Sequence, residues 1–158
     1  MFYGCSALTE APELPAETLA NNCYEYMFSG CSSLTTAPKL PAGSLAESCY
    51  QGMFSGCTSL TMAPTLTAYT LTGGCYQGMF SGCSKLSSVT ILAVDVSAEN
   101  CLGDWLMEAG TNVQESQKPT LYLNPRVYYE NFEYNHNEYE CSVKYLIPEN
   151  WVVKPYGE

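Results

Sequence analysis

The sequence of 158 residues predicts an α/β protein, a right-handed solenoid with a short strand and a short helix in each repeat and a β-rich segment at its C-terminal end. Three observations predict this fold. The chain repeats with a fixed period, the first half of each repeat has the residues of an extended strand, and the second half has the spacing of a short amphipathic helix. A period of about 20 to 50 residues is typical of stacked units that bury their apolar faces against one another.

The repeated unit begins at Met1, Met27, Met53 and Met79 and runs without a gap. The unit at Met27 reads "MFSGCSSLTTAPKLPAGSLAESCYQG", and the unit at Met53 reads "MFSGCTSLTMAPTLTAYTLTGGCYQG". Because the sequence begins inside a repeat, it predicts either an excised portion of a longer chain or a chain that starts without a cap. The other fixed columns are Cys5, Cys31, Cys57, Cys83; Leu8, Leu34, Leu60, Leu86; Leu14, Leu40, Leu66, Leu92; and Cys23, Cys49, Cys75, Cys101.

The first half of each unit predicts a strand. In the second unit it reads "SLTTAPKLP", residues 33–41, and is short, rich in threonine and bounded by glycine and proline. Pro12, Pro38 and Pro64 recur at one position of this segment. Because proline has no N–H group, a fully hydrogen-bonded central strand is not expected at that position.

The second half of each unit predicts a short helix, over residues 44–56 in the second unit. Ser44 and Glu47 have the spacing of a capping box, and Gly56 is a residue that commonly ends helices. Thr18 and Thr70 occupy the position of Ser44 in neighbouring units. The apolar residues of this segment fall on one helical stripe: Leu45, Cys49, Tyr50, Met53 and Phe54.

Strands stack at about 4.8 Å and helices at about 8–10 Å, so the predicted stack curves with its strands on the concave side. This is the architecture of a leucine-rich-repeat protein, predicted over residues 1–110, with a C-terminal capping segment over residues 111–158. In that segment "TLYLNP" (residues 120–125) and "YLIPENWVV" (residues 145–153) predict strands, and Trp151 is expected to anchor the core.

The motif Phe-x-Gly-Cys-x-x-Leu begins at Phe2, Phe28, Phe54 and Phe80. It resembles the BspA-type leucine-rich repeats of gut and oral bacteria over residues 1–110, and "VTILAVDVSAENCLGDW" through "LIPENWVV" resembles the closing segment of such arrays. The resemblance implies a surface or secreted adhesion and interaction protein, and some family members are carried by phages and mobile elements. The 26-residue unit departs from the common family unit.

Composition excludes several function classes. A formal net charge of −10, from 16 acidic and 6 basic residues, argues against nucleic acid as the main partner. No apolar run is long enough to span a membrane, and no signal peptide opens the chain. The chain has one histidine, His136, and lacks a nucleophile-elbow or phosphate-loop motif. We therefore expect no enzymatic activity and no cofactor.

The nine cysteines have three interpretations. Two ladders of buried thiols are favoured, because cysteine is among the residues most often buried. Cys23 and Cys31 are expected to lie too far apart along a helical stretch for a disulfide, and cysteines of one column are expected to lie too far apart in adjacent helices. A cross pairing such as Cys31 with Cys49 stays open. Zinc is disfavoured because the gaps from Cys23 to Cys31 and from Cys31 to Cys49 are wider than those between paired zinc ligands. Cys141 lies outside both ladders and is the candidate for an exposed thiol.

Candidate binding residues are those that vary between units, since fixed columns are needed for stacking. A polar segment over residues 127–140 is rich in tyrosine and asparagine, which favour binding surfaces, or else is a plain polar loop. The favoured function is a non-enzymatic module that binds a protein or a glycan; the alternative is a self-assembling component of a phage or surface fibre, associating through the N-terminal repeat. The candidates are Glu10, Glu13, Thr36, Lys39, Met62, Thr65, Tyr69, Tyr129, Tyr134 and Tyr139.

Overall fold

The structure is a computed structural model that describes residues 1–133 and 143–157. Its regular elements are few and short. Three strands form one parallel sheet in the order β1-β2-β3. They are β1 (Ser88–Ile91), β2 (Thr120–Leu123) and β3 (Val152–Pro155), and the helical elements are α1 (Pro125–Tyr128), a π-helical turn (Tyr129–Glu133) and two 3-10 turns (Glu115–Gln117 and Val143–Leu146).

The predicted α/β leucine-rich-repeat solenoid, with a strand and a helix in each repeat, is wrong. The described residues contain three strands in one sheet and a single four-residue α-helix, which lies outside the repeats. Residues 47–56 form consecutive turns in place of the helix predicted over residues 44–56. Ser48, Gly52 and Gly56 have φ angles of 51°, 58° and 73°, which are left-handed values that an α-helix does not tolerate.

The turns follow a strict alternation of hydrogen bonds. From the end of the second unit to the start of the third, the N–H groups of Cys49, Gln51 and Met53 each donate to the carbonyl three residues earlier and close a turn. The N–H groups between them point to the next unit: Tyr50 donates to the carbonyl of Cys75 and Gly52 to that of Gln77. The same alternation recurs in the neighbouring units, so each unit is hydrogen-bonded to the next.

The core lies between these turns and the extended segments. Phenylalanine rings at the same position of consecutive units stack with centroids 5.5–5.8 Å apart, and tyrosine rings stack at 5.8–6.0 Å. Phe28, Phe54 and Phe80 are fully buried. The apolar columns predicted from the repeat therefore do form a core, although through turns that repeat every four residues.

The extended half of the repeat pairs through single residues in the first three units and through a strand in the fourth. Glu10, Thr36 and Met62 each make one parallel bridge to the equivalent residue of the next unit. Only the fourth unit continues as the strand β1, where Thr90 stands in place of the proline found in the other units. Threonine fits an interior strand position, whereas proline is disfavoured there.

The register between the third and fourth units shifts by one residue in this region. Met62 pairs with Ser88, its equivalent one full repeat later, but Leu66 pairs with Ile91, one residue short of a full repeat. The predicted column that aligns Leu66 with Leu92 is thus wrong, and Leu66 lies beside Ile91, which is buried as Leu66 is. Between these two bridges the third unit advances by four residues, from Met62 to Leu66, whereas the fourth unit advances by three, from Ser88 to Ile91.

The C-terminal residues extend the sheet and cover the fourth unit. β2 lies within the predicted strand over residues 120–125, but most of residues 145–153 is not strand, and β3 begins only at Val152. Trp151 is buried, as predicted, and its indole N–H donates to the carbonyl of Ala109. The division at residue 110 stays a prediction. None of the helices in the described ranges has the length and apolarity needed to cross a membrane.

Candidate functional site

A groove of about 440 Å³ lies between the extended segments of the second and third units. The second unit contributes a continuous wall, and the third unit contributes the facing one. Most of the lining is apolar, and the prolines give it rigid walls. The lining residues are Ala37, Pro38, Lys39, Leu40, Pro41, Pro64, Thr65 and Thr67.

Two of the predicted binding residues, Lys39 and Thr65, meet in this groove. They occupy the same position of adjacent units, so the stacking places them side by side. Both side chains are exposed. No carboxylate of residues 1–133 and 143–157 lies within ion-pair distance of Lys39, and its ammonium group is available to an anionic ligand.

Three further predicted residues, Glu10, Thr36 and Met62, form a row along the stack. Their backbones are joined by parallel bridges that continue through Ser88. All three side chains are exposed, and Met62 has 65% of its surface accessible to solvent. Glu13 is exposed in the first unit, one repeat before Lys39. All four residues lie on the surface of the protein, and none of them lines the groove.

Tyr69 lies apart from the groove, in a polar cluster with Asp95 and Arg126. Its side chain is 66% exposed, and its carbonyl accepts hydrogen bonds from Val94 and Asp95. Ser97 donates two hydrogen bonds to the carboxylate of Asp95, which lowers the pKa of Asp95. The Nε atom of Arg126 lies 2.9 Å from Oε1 of Glu130, and this ion pair partly neutralises the positive charge of Arg126.

The tyrosine-rich segment is described only in part. Tyr129 is half-buried, with its ring edge-on to Tyr128 at 5.3 Å, and is thus a packing residue at least in part. Tyr134 and Tyr139, as well as His136 and Cys141, lie outside the described residues.

Six of the eight described thiols are buried, as predicted, and no disulfide joins any two of the eight. Burial raises the pKa of Cys49 to about 11 and the pKa of Cys57 to about 12, so these thiols remain protonated. The ladder after the phenylalanine column makes regular sulfur hydrogen bonds: Cys31, Cys57 and Cys83 each donate to a phenylalanine carbonyl of the preceding unit at 3.0–3.2 Å.

The first member of each cysteine ladder departs from that prediction. Cys5 and Cys23 are exposed, because no unit in the structure covers them on one side. Within the described residues, no three histidine, cysteine or acidic side chains are close enough to form a metal site.

The prolines that form the groove walls are not among the predicted binding residues. Pro38 and Pro64 recur at one position of the repeat, and this recurrence disfavours a strand without pointing to a site. The sequence signal for this groove is a repeated position that holds a rigid proline ring, Pro38 and Pro64, next to a position that varies between units, Lys39 and Thr65.

Comparison of the chain with family models, with curated proteins and with solved structures finds no match. The resemblance of the repeat motif to BspA-type proteins therefore stays a prediction.

Proposed function

We propose that this protein is a non-enzymatic binding module whose groove between the second and third units holds an acidic, extended segment of a partner protein. The single observation that carries the proposal is a cation, Lys39, that has no ion-pair partner among residues 1–133 and 143–157 and lies at the rim of an apolar groove. Its volume of about 440 Å³ is within the usual range of ligand pockets.

The lining favours a peptide over a glycan. Proline and leucine side chains offer apolar contact, whereas Thr65 and Thr67 supply the only side-chain hydroxyl groups among the lining residues. A glycan presents many hydroxyl groups and would leave most of them without a partner here. An extended segment with an apolar residue next to a carboxylate matches both parts of the groove.

Charge gives the binding a specific salt dependence. The ammonium group of Lys39 attracts an acidic segment at short range, while the net charge of −10 repels it at long range. Because salt screens the long-range repulsion most strongly, we expect association to be faster at physiological salt than at very low salt.

The resemblance to BspA-type repeats supports a role in adhesion, either at a cell surface or as a secreted protein.

A screen of displayed random peptides, with a glycan array in parallel, tests this proposal. We expect enrichment of acidic peptides, loss of their binding in Lys39→Glu and retention in Lys39→Arg. Lys85→Glu is the matched control, since Lys85 is also exposed but does not line the groove. Enrichment of glycans without peptides, or equal binding by Lys39→Glu, would overturn the proposal.

A further inference from the structure

The hydrogen-bonded ladder between the third and fourth units is continuous beside Leu66. The N–H group of Leu66 donates to the carbonyl of Thr90 at 2.9 Å, and its own carbonyl accepts the N–H of Leu92 at 2.9 Å. Farther along the same segment, the N–H of Leu71 donates to the carbonyl of Asp95 at 3.0 Å. Both main-chain groups of Leu66 therefore face the fourth unit, as in an ordinary parallel ladder.

The same ladder is interrupted between the second and third units, where the groove lies. Within the described residues, no backbone hydrogen bond joins residues 37–43 to residues 63–69. Leu40 occupies the position of Leu66, is likewise buried and lines the groove. Neither its N–H group nor its carbonyl has a hydrogen-bond partner in the part of the chain that the structure describes. Such groups are uncommon at a buried residue, because they lose hydration without compensation.

Thr67 supplies a further main-chain donor to the groove. In an extended segment the main-chain groups of successive residues point to opposite sides. Since those of Leu66 face the fourth unit, those of Thr67 face the second unit, across the groove from Leu40. No acceptor for the N–H of Thr67 is found among residues 1–133 and 143–157. The equivalent residues of the first two units are Pro15 and Pro41, which have no N–H group to offer.

We propose that the groove binds the main chain of its partner segment: the N–H groups of Leu40 and Thr67 donate to carbonyls of the segment, and the carbonyl of Leu40 accepts one of its N–H groups. This inference rests on the proposed function and adds how the segment is recognised. An extended segment carries N–H groups and carbonyls along both sides and complements an interrupted ladder. The partner is thus a β-strand-like segment, with an acidic residue beside Lys39 and a residue other than proline at the hydrogen-bonded position.

Amide hydrogen exchange of the protein alone, followed by NMR, tests the premise. The amide of Leu66 is hydrogen-bonded, so those of Leu40 and Thr67 should exchange at least about 5-fold faster than it does, the factor for one hydrogen bond of ordinary net strength. Adding the capped peptide Ac-Val-Asp-Val-Asp-Val-amide should slow exchange at Leu40 and Thr67. Protection of both amides before the peptide is added would show a closed ladder and overturn the inference.

Substitution of Thr67 tests the hydrogen bond itself. Thr67→Pro removes the N–H group and copies the residue of the first two units, so we expect the variant to fold. A fluorescently labelled form of the same peptide should bind Thr67→Pro about 5-fold more weakly than Thr67→Ala, which keeps the N–H group. The fluorescence of buried Trp105 reports whether both variants are folded. Independently of folding, N-methylation of the peptide at each residue in turn should weaken binding at one position or more.

The outcomes separate this inference from the proposed function. If Lys39→Glu abolishes peptide binding while Thr67→Pro binds as Thr67→Ala does and no N-methylated peptide binds more weakly, the groove binds acidic segments through side chains alone. That result would overturn the inference and leave the proposed function standing. If no acidic peptide binds at all, both are wrong.

Discussion

Replacing Gly78 by alanine distinguishes the observed turns from the helix that the sequence predicts, because the two structures give effects of opposite sign. Gly78 has a φ of 60°, and a Cβ atom added there meets nothing within 4 Å. The only cost is therefore the left-handed backbone, about 1–2 kcal/mol for a residue with a side chain. In a helix interior, the same substitution stabilises by about 1 kcal/mol.

Urea unfolding followed by the fluorescence of buried Trp105 measures this difference directly. We expect the free energy of unfolding of Gly78→Ala to fall by about 1–2 kcal/mol, which lowers the melting temperature by about 2–8 °C for a chain of this size. Gly43→Ala is the matched control. Gly43 is exposed, has no left-handed φ and also has no contact for an added Cβ, so this variant should gain about 0.4–1 kcal/mol. A stabilised Gly78→Ala would refute the turn structure.

Three further predictions follow from buried polar groups. The hydroxyl of Tyr50 is buried and has no hydrogen-bond partner in the part of the chain that the structure describes, so Tyr50→Phe should raise the free energy of unfolding by about 1 kcal/mol in urea unfolding. Tyr24→Phe, at a half-exposed ring, should leave it nearly unchanged. Native-state alkylation with peptide mapping should modify Cys5 and Cys23 quickly and the six buried thiols only on unfolding; rapid modification of a buried thiol would contradict the described packing. Burial raises the pKa of Cys49 and of Cys57 in the folded state, so stability should be constant below the unfolded thiol pKa of about 8.5 and fall as pH rises toward 11–12, by about 1.4 kcal/mol per pH unit for each of these two thiols. Unfolding at several pH values should show a correspondingly smaller slope for Cys57→Ala.

The period and the core columns of this protein were predictable from its sequence, but the local backbone was not. Apolar residues four apart, such as Cys49 and Met53, fit a helical stripe and also fit turns that repeat every four residues. The distinguishing signal is the spacing of glycines: Gly74, Gly78 and Gly82 recur every four residues from the end of the third unit into the fourth, and all three are left-handed. A helix does not favour glycine at that frequency.

The candidate site was predictable in part, because comparison of the repeated units shows which positions vary. Variation between units singled out Lys39 and Thr65, and the stack brings them together in the groove. The exposure of Cys5 and Cys23 was not predictable from their columns, because the burial of a repeated residue depends on having a neighbour on each side. Likewise the shift that pairs Leu66 with Ile91 arises from one extra residue in the extended segment, which a gapless alignment conceals.

Far-ultraviolet circular dichroism of the purified protein tests the central claim most directly, namely that the repeats are stacks of hydrogen-bonded turns. The described structure, with one four-residue α-helix, predicts a spectrum without the strong double minimum of helical proteins. A pronounced helical double minimum, as four repeats with a helix each would give, would contradict the turn structure and with it the groove that depends on it.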